Sequence, residues 1–73
     1  MGKLRVLYGS AVVNLLRANG FVEVRRRGSH VVMQKRLPDT TVTVPVPDHR
    51  ELKRGALASI IRQSQLPRGV FEE

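Results

Sequence analysis

Apolar positions near the start of the chain recur at helical spacing. Val12, Leu15 and Leu16 fall at i, i+3 and i+4, the stripe that an amphipathic helix buries. Ser10 stands where an N-cap belongs and Gly20 where a helix C-cap belongs, so one short helix is predicted between Ser10 and Asn19. Phe21 follows the glycine, placed to fold back onto the last turn. From Val22 the pattern changes to β-branched and basic. Val22-Glu23-Val24-Arg25 alternates as a half-buried strand does, and Gly28-Ser29 supply a turn. Val31 to Lys35 read as a second strand. After turn chemistry at Leu37-Pro38-Asp39-Thr40, Thr41-Val42-Thr43-Val44 forms a third, with its valines on one face. Pro45 and Pro47 are expected to end that strand, because proline cannot donate to a ladder.

Asp48-His49-Arg50 reads as a loop, after which helical spacing returns. Leu57, Ile60, Ile61 and Ser64 line up between Arg54 and Gln65, supported by the propensity of Ala56 and Ala58. Pro67 stops this second helix. Gly55, near its start, is poor for propensity and is expected to allow close backbone approach or a phosphate contact at the helix N-terminus. Residues 68–73 form a short tail in which Phe71 is the group able to dock.

The order is therefore αβββα, an α+β fold with a three-stranded antiparallel sheet and two helices on one face. Strand valines are expected to meet Val12, Leu15, Leu16, Leu57, Ile60 and Ile61 in one two-layer core. The 73 residues are expected to make one domain, residues 1–73, with its core in 10–66 and a short tail at 67–73. A chain of this size buries only about 60% of its unfolded surface, so packing has little margin. There is no cysteine. With only His30 and His49 as nitrogen donors, a four-ligand zinc site is not expected, nor is any cofactor.

Charge adds a partner class. Thirteen Lys and Arg oppose six Asp and Glu, a formal net charge of +7, and ten of the thirteen cations are Arg. Guanidinium presents a planar fork of donors matched to phosphate oxygens, so nucleic acid or another polyanion is the expected partner. The chain shows no export signal, myristoylation pattern or apolar run approaching the roughly 20 residues of a membrane span. A cytoplasmic protein without a membrane role is the expectation.

The aromatic residues are Tyr8, Phe21 and Phe71, none of them at a strand centre. That disfavours a single-strand platform on which bases stack. The notable chemistry is Gly28-Ser29-His30, directly behind Arg25-Arg26-Arg27. A histidine after Gly-Ser at a hairpin is commonly just an exposed turn residue. Its cationic neighbours open a second reading. An imidazole, ordinarily titrating at about pH 6.5, can take a proton from a ribose 2′-hydroxyl while nearby cations stabilise charge on the phosphorane. Gly28 would admit the turn, and Ser29 would donate to a phosphate oxygen or orient the ring. Neighbouring strand residues point to opposite faces, which disfavours a triad built on Ser29 and His30. The carboxylates Glu23, Asp39, Asp48 and Glu51 are scattered, giving magnesium chemistry little support. His49 reads as a loop residue or a substrate contact. Three consecutive arginines repel one another and are better placed beside phosphate than in a merely solvated strand end.

These residues together carry a resemblance. Asn19-Gly20-Phe21, then Arg25 and Gly28-Ser29-His30, then Val42-Thr43-Val44-Pro45, and finally Leu52-Lys53-Arg54-Gly55 leading to Leu57, Ile60, Ile61, Arg62 and Gln63, resemble the HicA toxin family of bacterial type II toxin-antitoxin systems over about positions 10–66. The resemblance implies a double-stranded-RNA-binding-domain-like fold, cleavage of mRNA without the ribosome, and neutralisation by a HicB-like antitoxin. It assigns the catalytic role to His30, with Gly28 and Ser29 as supporting motif positions. On the residues themselves the cleavage is expected to need no metal, and the antitoxin is expected to cover the active site, His30 and the basic hairpin, where charge would steer an acidic surface. Arg25, Arg26, Arg27, Lys35, Arg36, Lys53 and Arg54 are added as RNA-binding candidates on charge. The tail from Pro67 departs from the family pattern. Two other readings stand beside this one: a non-catalytic double-stranded-RNA-binding module gripping phosphates with Lys53 and Arg54, and a protein that only pairs with a partner.

Overall fold

The computed structural model describes residues 8–48 and 52–72, so His49, Arg50 and Glu51 lie outside the described residues. The elements run α1 (Gly9–Ala18), β1 (Val22–Arg27), β2 (His30–Arg36), β3 (Thr41–Pro47), α2 (Arg54–Ser64) and a short 3₁₀ helix (Arg68–Phe71). The strands form one antiparallel sheet in the order β1-β2-β3, as the αβββα reading requires. None of the described helices is long and apolar enough to cross a membrane.

Helix α1 begins two residues earlier than expected. Tyr8 is its N-cap, and no side chain caps it, so Ser10 lies inside the first turn. Its other end is a Schellman closure. The Phe21 N–H donates to the Leu16 carbonyl at 3.0 Å and the Gly20 N–H to that of Arg17 at 3.2 Å, with Gly20 at φ +96°, a conformation glycine adopts without Cβ strain. Phe21 and Leu16 are both buried, the apolar contact that accompanies this motif. At the end of α2, Gln65 takes the left-handed conformation itself. The buried Ser64 hydroxyl donates to the Ile61 carbonyl at 2.9 Å and accepts the Leu66 N–H at 3.2 Å, which satisfies its polar atom inside the core.

Both helices cover one face of the sheet. Val31 and Met33 of β2 and Val42, Val44 and Val46 of β3 are buried against Val12, Val13, Leu16, Leu57 and Ile60. Leu15 and Ile61, expected in the core, are only partly buried at its margin, and Val13 joins it instead. Leu52 and Phe71 complete the cluster. Phe71 is fully excluded from solvent, so the tail docks as anticipated and supplies one of the largest core side chains.

Two expectations about the strands fail for one reason, position at a sheet edge. All six residues of β1 are exposed, so the strand is not half-buried. Its alternation is broken by a bulge between Glu23 and Arg25, and exposed Val24 is the extra residue. Strand β3 runs through Pro45 and on to Pro47 instead of ending at Val44. An outer strand needs ladder bonds on one side only, and there a missing N–H can be tolerated. Gly55 was expected to permit a close approach, yet a side chain there would meet nothing within 4 Å.

Candidate functional site

The β1–β2 hairpin closes on the pair Arg27 and His30, with Gly28 and Ser29 between them. Gly28 sits at φ +57° while Ser29 is not left-handed. A positive φ at the first central residue alone is the pattern of a II′ turn, whose twist suits a two-residue hairpin. The Asp48 N–H donates to the Ser29 carbonyl at 2.6 Å, tying the turn to the end of β3. His30 opposes Arg27 on one side and Pro47 on the other. The expected catalytic residue is thus the first residue of the central strand, exposed and flanked by a paired strand on each side.

Strand alternation assigns each candidate to a face. Val31 and Met33 are buried under the helices, so His30, Val32, Gln34 and Arg36 belong to the uncovered face. Directly paired residues share a face. Arg27 opposite His30 and Arg25 opposite Val32 therefore join His30, along with Pro45 and Pro47. The Gln34 amide donates to Thr43 Oγ1 at 3.2 Å on the same face. Arg25 and Arg27 both reach the imidazole's side of the sheet because the two-residue turn pairs Arg27 with His30 and alternation carries Arg25 with it. Arg36 lies on this face at the far end of β2.

The remaining cations are elsewhere. Arg26 pairs with Val31 in the ladder, on the helix side, and its Nη1 donates to Asp48 Oδ2 at 2.9 Å. That hydrogen bond raises the Arg26 pKa; desolvation opposes it, and the charges of Asp48 and Glu23 reinforce it. Lys35 also points to the helix side. Its Nζ lies 6.0 Å from the Phe21 ring centroid, within range of a cation–π contact. Lys53 and Arg54 are exposed at the start of α2, six residues beyond Asp48 in sequence for Arg54.

The structure consequently groups Arg25, Arg27 and His30 on one face of the sheet and directs Arg26 and Lys35 to the other, while Lys53 and Arg54 stand at the start of α2. Reasoning from the sequence missed Asp48 as the residue that holds both the turn and Arg26. No local signal marked it, since the contact spans 22 positions. Among the described residues no three His, Asp or Glu side chains cluster as a metal site would require. The exposed imidazole with two guanidinium neighbours can bind a phosphodiester and exchange a proton with it.

No curated protein is similar enough to the chain to count as a match. The family model described as the HicA toxin of bacterial toxin-antitoxin matches residues 9–66, a span that runs from the first residue of α1 through the His30 hairpin to two residues past the end of α2. With that match covering most of its length, the chain belongs to the HicA toxin family of bacterial toxin-antitoxin systems.

Proposed function

We propose that the chain is a toxin that cleaves mRNA as a metal-independent endoribonuclease, with His30 as its proton-transfer residue. The observation that carries this reading is the placement of His30: an exposed imidazole at the start of the central strand, directly opposite Arg27 on the uncovered sheet face. Family membership supports a toxin acting within a toxin-antitoxin pair.

In the proposed step His30 accepts the proton of a ribose 2′-hydroxyl as that oxygen attacks the adjacent phosphorus. The bond to the leaving 5′-oxygen breaks, and that oxygen takes up a proton. The products are a 2′,3′-cyclic phosphate and a 5′-hydroxyl. Arg27 and Arg25 stabilise the charge that builds on the phosphoryl oxygens, where charge-assisted bonds are strongest. The Gly28-Ser29 turn contributes shape: its short loop leaves room for a backbone phosphate, and the Ser29 hydroxyl is available as a donor. Arg36 at the far end of β2 and Lys53 and Arg54 at the start of α2 are further candidates for phosphate contacts along the RNA. A HicB-like antitoxin neutralises the toxin by covering His30 and the basic hairpin, an acidic partner being steered there by charge.

Purified protein incubated with RNA tests the reaction. Cleavage should persist in excess EDTA and leave cyclic phosphate ends, and RNA methylated at the 2′-oxygen should remain intact. Cutting of the methylated RNA would overturn the proposed attack. The exposed Lys53 and Arg54 also suit a module that binds duplex RNA without cutting it. RNA that is bound and never shortened would favour that module.

A further inference from the structure

The sheet has two outer strands, and they treat their free edges differently. Strand β3 carries Pro45 and Pro47, which have no N–H to offer an incoming strand. Strand β1 has no proline, all six of its residues are exposed, and among the described residues no strand pairs with its outer side. It also holds two of the large apolar side chains left in water, Val22 at 58% and Val24 at 46% exposure. An open edge with apolar side chains is a template for another strand.

Charge selects the occupant. Arg25, Arg26 and Arg27 follow the two valines, and on a chain of net charge +7 they repel a second copy. The same three residues attract an acidic strand. The bulge lies early in β1, and the ladder from Arg25 to Arg27 is in unbroken register after it. We propose that the outer edge of β1 takes an acidic, extended segment of the antitoxin as a fourth strand, paired along Arg25–Arg27 and flanked by apolar contacts to Val22 and Val24. Backbone pairing supplies affinity in such additions, and alternate side chains supply selectivity. Carboxylates on the uncovered face would then lie beside Arg25 and Arg27 and withdraw them from phosphate, with His30 left unblocked by that segment. This consequence rests on the proposed nuclease site. The docking itself does not.

The test uses the full chain and a short peptide of alternating glutamate and valine. Amide resonances should shift, and hydrogen exchange slow, over residues 22–27. A peptide with proline at its central valine should bind about tenfold more weakly, since it cannot complete the ladder. Val24→Glu should weaken binding by about tenfold, while Val24→Lys, which loses the apolar contact but keeps the attraction, should weaken it by no more than about threefold. Equal binding of the two peptides, shifts spread over both edges, or equal weakening by the two Val24 variants would overturn the inference. Unchanged amide spectra of the free variants report that they fold. Repeating the titration with His30→Ala separates the two questions: docking confined to β1 upholds this inference whether or not the chain cuts RNA.

Discussion

The two faces of the sheet divide the work of this small protein. On the helix side, Val31, Met33, Val42, Val44 and Val46 close against α1, α2 and the docked Phe71. On the other, Arg25, Arg27, His30 and Arg36 stand in solvent. Strand β2 contributes to both, through the alternation of a single strand. Substitutions on the covered face should therefore change stability, and those on the open face should change chemistry while the fold stays intact.

The largest effect is expected on the covered side. Phe71→Ala empties a fully buried aromatic site and should cost about 3–5 kcal/mol in denaturant unfolding. This substitution also asks whether the residues beyond the family match, which ends at 66, are part of the folded unit. A loss below about 1 kcal/mol would mean that the core closes without them. On the open side, Arg27→Gln should reduce RNA cleavage by roughly 30-fold, the loss of one charge-assisted contact, with an unchanged unfolding midpoint. If both quantities fall together, the division between faces is wrong.

Smaller effects test the frame of the hairpin. Gly28→Val forces a β-branched residue to φ +57° with open space around it, so backbone strain alone should cost about 1–2 kcal/mol. Asp48→Asn should be the mildest. It weakens an exposed ion pair, of a kind that contributes little, and the unfolding midpoint should not move. RNA binding should tighten slightly, since a negative charge beside the His30 turn is removed. Weaker RNA binding in this variant would indicate that Asp48 positions the site instead of competing for its cations.

Much of this division was legible in the sequence because it is written in local periodicity. The spacing of Val12, Leu15 and Leu16, the stop at Gly20, the Gly28-Ser29 turn and the valines of Thr41–Val44 each depend on residues within a few positions. What was not legible depends on the place of a strand in the sheet. Nothing local states that β1 and β3 are edges, so Val22 and Val24 read as buried and Pro45 as a terminator. Alternation alone separates Arg25 and Arg27 from Arg26, and the bulge at Val24, which shifts the parity of Val22 and Glu23 against the arginines, shows only in the register. The parity of Lys35 with Val31 and Met33 was available beforehand and does place it on the helix side, as its contact with Phe21 bears out. For the candidate site, the sequence provided the residues and the structure provided their grouping.

The central claim is that an exposed His30 moves the proton in RNA cleavage. The most direct measurement compares the rate of RNA cleavage by the purified protein with that of His30→Ala, alongside their unfolding midpoints. The variant's rate should be lower by at least about 100-fold, the contribution of a positioned acid or base, and its midpoint should not change. Cleavage at the parental rate by a folded His30→Ala protein would contradict the claim.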